Sequence, residues 1–168
     1  MLSFAIALLC VACGPVPQPN SIRTVAAFEI PLPTAADHAA FLQLLRSEAA
    51  ATGYHVDAAD ADELQRMSEV SPITLNATIW RGANDDEIVA SAMDSKYNLG
   101  RVWLSFAKGE DPERFARFRK RLMAKIVRRW PRTASLPILP NGAIPLADDL
   151  TRTPSGYRLK ATARSKYR

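Results

Sequence analysis

The chain has 168 residues, 48% of them hydrophobic, a net charge of +5 and two cysteines. That is enough for one domain with a substantial core. Neither cysteine falls in residues 14–168, which excludes an internal disulfide and any cysteine-based zinc site or nucleophile there. The charge is unevenly laid out. Residues 14–111 carry 7 Lys/Arg against 14 Asp/Glu, and residues 112–168 carry 15 against 3. An acidic part followed by a basic third implies either an interaction surface or attraction within the fold.

The first thirteen residues, MLSFAIALLCVAC, carry no charged side chain. An apolar run of this length is too short to cross a bilayer, which takes roughly 20 residues, and matches a signal-peptide core of about 7–15. It ends in Val11, Ala12 and Cys13, followed by Gly14. This resembles the lipobox of bacterial lipoproteins. The match departs from the usual pattern at Cys10, where Leu is common, and in having no Lys or Arg before the run. The resemblance implies that residues 1–12 are a signal peptide and that Cys13 becomes a lipidated N-terminus carrying three acyl chains. Gly14, in place of Asp, implies sorting to the outer membrane, facing the periplasm. Each buried CH2 contributes about 0.8 kcal/mol, so several chains hold firmly where one holds marginally. Residues 13–20 then form the lipidated cysteine and a Pro-rich tether, extended and semi-rigid. The competing reading of the same stretch is a buried N-terminal strand or helix with two core cysteines.

A single domain is expected over 21–160, with a basic, frayed tail at 161–168. SIRTVAAFEI alternates as a strand and is stopped by Pro31 and Pro33. Thr34 with Asp37 reads as a capping box for a helix whose stripe is Phe41, Leu42, Leu44, Leu45 and Ala49, closed by Gly53. Residues 54–57 suit a short strand, and DAADADELQRM suits a surface helical turn. ITLNATIWRG and DEIVASAMD form a hairpin, and RVWLSFA a further strand. Asp111 as N-cap and Pro112 at N1 start a second main helix that should end before Pro131. Beyond it, Pro137, Pro140, Pro145 and Pro154 exclude regular central strands nearby, and residues 157–160 suit a short edge strand. The expected class is α+β: a mainly antiparallel sheet with two helices on one face, ferredoxin-like or a variant.

The second main helix, PERFARFRKRLMAKIVRRW, separates cleanly at 100° per residue. Phe115, Phe118, Leu122, Met123, Ile126 and Trp130 share one arc. Arg114, Arg117, Arg121, Lys125 and Arg128 share the opposite one, either a solvated face or an anion-binding ridge. Arg119 falls inside the apolar arc, and Glu48 falls inside the apolar stripe of the first helix. An unpaired buried charge is costly, so either these two pair across the layer or each lies exposed at a helix margin.

No GxSxG elbow, Gly-rich phosphate loop or HExxH is present, and no cofactor is implied. His38 and His55 lack metal-ligand spacing, although Asp57, Asp60 and Asp62 lie near His55. Asp85, Asp86 and Glu87 at the hairpin tip read as a solvated turn, with a divalent cation as the alternative. Trp80 and Trp103, on neighbouring strands, are either core or an aromatic platform. Together with the lipoprotein resemblance, these features point to a lipid-anchored, non-enzymatic binding domain of the bacterial envelope. An inhibitor, an immunity-type lipoprotein or an envelope-assembly accessory would fit. Its partners would be the membrane, through the lipid, and an envelope protein or anionic surface, with nucleic acid excluded. The alternative is a peptidoglycan-acting envelope enzyme whose carboxylates have no recognisable spacing.

Overall fold

The structure is a computed structural model that describes residues 23–69, 72–82, 87–95 and 100–167. The expected signal peptide, Cys13, the tether, and Asp85 and Asp86 lie outside the described residues.

Alternation makes β1 (Thr24–Pro31) a strand with two distinct faces. Ala26, Phe28 and Ile30 face a layer of helices, whereas Ala27 and Glu29 face the other side. Thr34 caps α1 (Ala35–Ala50), its hydroxyl oxygen accepting from Asp37 N at 3.1 Å. β2 (His55–Ala58) and α2 (Ala61–Ser68) follow, then a meander of β3 (Ile73–Arg81), β4 (Glu87–Ser95) and β5 (Arg101–Ala107). Asp111 accepts from Arg114 N at 3.0 Å and Pro112 occupies N1, which starts α3 (Pro112–Arg129). The chain ends with β6 (Ala134–Ser135), β7 (Leu150–Thr153) and β8 (Gly156–Leu159), with 3-10 turns at Ala147–Asp149 and Ala161–Tyr167.

These strands form one sheet in the order β2-β3-β4-β5-β1-β6-β8-β7. α1 and α3 lie together on one face. Between helices and sheet, Phe41, Leu45, Ile79, Leu104, Phe106, Phe118, Leu122 and Ile126 are fully excluded from solvent. Burying each such side chain contributes roughly 1.5–3 kcal/mol. A second, smaller cluster on the opposite face joins Ala27, Leu136 and Leu150 with Trp103, Ile138, Ile144 and Tyr157. The sheet therefore curls, bringing the β7–β8 hairpin over the face of β1 and β5 that the helices leave open.

The α+β class matches the expectation, and three details correct it. α2 is a third helix. β6 pairs with β8 in parallel, so the sheet is mixed. The sheet has eight strands, β3 and β2 extending it beyond β4 and β8 and β7 beyond β6, more than the simple ferredoxin-like order has. What remains of that topology is a split β-α-β unit: α3 connects β5 to β6, and both flank β1 antiparallel to it. The tail is not frayed. Tyr167 Oη donates to Asp149 Oδ2 at 2.7 Å and Lys166 Nζ lies 2.9 Å from Oδ1, pinning residues 161–167 to the turn before β7.

Gly156 makes the parallel pairing possible. Its φ is +138°, and a Cβ there would stand 2.3 Å from Ser135 Oγ and 2.6 Å from Ser135 O. Gly156→Ala should cost more than about 2 kcal/mol, through strain and the lost β6–β8 contact. A fall in the urea midpoint at unchanged m-value would measure it.

Candidate functional site

The basic arc of α3 is largely answered within the fold. Arg114 Nε lies 3.3 Å from Asp111 and Arg117 lies 3.9 Å from Glu113. Arg121 Nε donates to Glu48 Oε2 at 2.9 Å, and Lys125 Nζ donates to Glu48 Oε1. Among the described residues, Arg128 alone of the five has no carboxylate within 4 Å. The arc thus serves chiefly as a set of internal counterions.

The expected Glu48–Arg119 pair does not form. Glu48 is buried, at 1% exposure, but Arg121 and Lys125 hold it, while the Arg119 guanidinium lies 5.7 Å from the centroid of the Phe115 ring. The reason is how α3 sits. Its apolar arc faces the sheet rather than α1, so its lateral flank meets α1 and Arg119 points to the opposite flank. Burial pushes the Glu48 carboxyl up. The hydrogen bonds from Lys125 and Arg121 outweigh this and hold it below the ordinary glutamate range.

Trp80 and Trp103 both project from the face opposite the helices, but they do not make one platform. His55 stacks on Trp80 at 5.0 Å between ring centroids. Trp103 packs beneath the C-terminal segment and donates from Nε1 to Glu29 Oε2 at 3.3 Å. His38 Nε2 lies 3.8 Å from Asp94 Oδ2, remote in sequence from His55. Among the described residues, no three metal-ligating side chains gather.

Glu29 anchors the most distinctive polar site. It is 6% exposed at the middle of the sheet. Tyr157 Oη donates to its Oε1 at 2.6 Å, and Trp103 serves Oε2. Burial pushes the Tyr157 phenol up and the bond to Glu29 pushes it the same way, so it remains an O–H donor at neutral pH. Above the carboxylate stand two half-exposed guanidiniums, with Arg101 Nη1 at 3.5 Å and Arg152 Nη1 at 3.9 Å from Oε1. Arg152 is further oriented by donating to Arg132 O at 3.3 Å and by lying over the Tyr157 ring at 5.7 Å. These groups line a cleft of about 530 Å³ with Pro31, Pro33, Gly100 and Arg132. Arg101 and Arg152 stand over one carboxylate whose two oxygens already have donors, and Arg132 lines the same cleft. A carboxylate or phosphate oxyanion matches the fork geometry of a guanidinium, so the cleft suits an acceptor of that kind.

Sequence reasoning missed this cleft because its arginines are far apart in the chain and lie on unlike elements: the first residue of β5, the turn after Pro131, and β7. Glu29 was the available signal, a lone acid in the apolar strand TVAAFEIP.

The Glu48 cluster should respond asymmetrically. Glu48→Leu leaves two half-exposed cations in water and should change stability by less than about 1 kcal/mol. Arg121→Ala combined with Lys125→Ala strands a buried carboxylate and should cost about 3 kcal/mol, read from urea unfolding at pH 7. Because the folded carboxyl lies below its unfolded value, its contribution is full above the unfolded value and is lost as pH falls through the folded one. Acid unfolding of Glu48→Leu should therefore be shallower than that of the parent across that window.

Comparison with known protein families, with curated proteins and with solved structures finds no match to this chain.

Proposed function

We propose that this chain is a lipid-anchored binding protein of the bacterial envelope, tethered through Cys13, whose domain holds an acidic group of an envelope partner in the Arg101/Arg132/Arg152 cleft. The observation that carries the reading is the cleft itself: two guanidiniums, Arg101 and Arg152, over a carboxylate that is already hydrogen-bonded on both oxygens, with Arg132 in the same lining. A carboxylate held by a donor on each oxygen is fixed in place and orients the groups around it. This favours recognition over acid-base catalysis. The other buried acids, Glu48, Glu87, Asp94 and Asp149, each face a different set of donors, whereas paired-carboxylate chemistry needs two in one cleft. The reading takes in an inhibitor, an immunity-type lipoprotein or an assembly accessory. The lipobox residues Val11-Ala12-Cys13 and the Pro-rich stretch after them support the anchor.

Two measurements test the reading. Titration of the isotope-labelled chain with a glutamate-rich peptide, and separately with inorganic phosphate, should shift backbone amides at 100–101, 132 and 152 saturably. Arg152→Gln with Arg101→Gln should weaken binding at least tenfold, and Arg117→Gln on α3 should not. Shifts confined to α3, or none at millimolar probe, would remove the cleft from the proposal. Mass spectrometry of the native product should find acyl mass on Cys13, and an unmodified thiol there would remove the anchor.

A further inference from the structure

We infer that the end of the domain around the start of β1 is a docking face for an anionic lipid bilayer. The inference rests on the anchored reading for its setting, but it stands on residues outside the arginine cleft.

Two shallow grooves flank the first residues of β1, one on each face of the sheet. The first, about 570 Å³, is lined by Val25, Ile138 and Leu139 with Arg23 and Lys108. The second, about 580 Å³, is lined by Phe28, Ala116 and Met123 with Arg119 and Lys120. Both combine apolar floors with cations, and neither lining contains an acid. The nearest acid on α3, Glu113, is answered by Arg117 at 3.9 Å. Arg119 has no carboxylate within 4 Å among the described residues. An exposed apolar side chain sits at the same end, Val25 at 42% exposure. Cations around exposed apolar groups match the headgroup boundary, where phosphates accept hydrogen bonds and apolar side chains enter the upper acyl region.

Chain length makes the same end the near one. Ten residues separate Cys13 from Arg23. A Pro-rich stretch of that length reaches about 30 Å, at roughly 3.1 Å per residue. Acyl chains on Cys13 would therefore hold the start of β1 within about 30 Å of the headgroups.

The test uses the full chain with Cys10→Ser and Cys13→Ser, so that no acyl group can be attached and the N-terminal segment is common to every sample. Sedimentation with vesicles of one part phosphatidylglycerol to two parts phosphatidylcholine should exceed that with phosphatidylcholine alone, and should fall in 0.5 M salt. Arg119→Glu with Lys120→Glu should weaken partition into the anionic vesicles by roughly thirtyfold or more, since each basic group near the surface adds about one step of fivefold attraction. Val25→Asp should weaken it as well. Arg46→Glu with Arg66→Glu changes net charge equally on exposed positions of α1 and α2 and should have little effect. Equal loss in both double variants would reduce the effect to bulk charge and overturn the docking face, as would partition indifferent to lipid charge. Acyl mass on Cys13 alongside such indifference would leave the anchor standing without the face. Charge-dependent partition of a chain never acylated in cells would do the reverse.

Discussion

The molecule turns on one buried carboxylate. Glu29 sits on the central strand β1, directly opposite Trp103 of β5, and accepts from Trp103 and from Tyr157 of β8. A buried acid in a sheet is tolerable only when its oxygens are satisfied, and here the donors come from both the meander and the C-terminal hairpin. The same bonds therefore do two things. They fasten the short strands β6 to β8, whose own ladder is minimal, onto the open face of the main sheet. They also fix the base on which Arg101 and Arg152 stand. The C-terminal layer and the cleft are consequences of one satisfied charge.

The charge asymmetry along the chain is answered in part within the fold. Part is internal attraction: acids of the first part, Glu29 and Glu48, are held by cations of the last third, Arg152, Arg121 and Lys125. The rest is surplus, because 15 cations face only 3 acids in residues 112–168. That surplus includes Arg132, which lines the cleft, and Arg119 and Lys120 on the flank of α3. The regular ridge Arg114/Arg117/Arg121/Lys125, the most visible pattern in the sequence, is where the surplus is least, since each member has an acid within 4 Å.

Elements with local causes were legible beforehand. The caps Thr34 and Asp111, Pro112 at N1, and the alternation of RVWLSFA specify their elements from neighbours in sequence, and the structure places them accordingly. The strands β6 and β7 were not legible, because two to four residues among prolines carry no period and owe their pairing to distant partners. The tail 161–167 reads as frayed for the same reason, since Asp149, which holds it, is 17–18 residues away. Glu48 was legible as an anomaly, and its partner was not. A helical wheel orders residues around one axis but does not say which neighbour each flank will meet, and the choice of Arg119 over Arg121 rested on that missing fact.

The cleft and the first groove lie toward opposite ends of β1, and the second groove, which reaches Phe28, lies on the other face of the sheet from Glu29. Pro31, paired with Arg101, borders the cleft, and Thr24, paired with Ala107, borders the first groove beside Lys108. Seven steps of strand at about 3.3 Å each put Thr24 roughly 23 Å from Pro31. The Debye length at physiological salt is about 8 Å, so headgroups touching one end do not screen or occupy the arginines at the other. An anchored domain seated on its Arg23 end would present the arginine cleft outward, away from the bilayer, to a partner arriving from the aqueous side. Were the cleft and the grooves on the same end, lipid phosphate would compete for every guanidinium. In the proposed seating, the distance between the first groove and the cleft would let one excess of positive charge serve attachment and recognition at once.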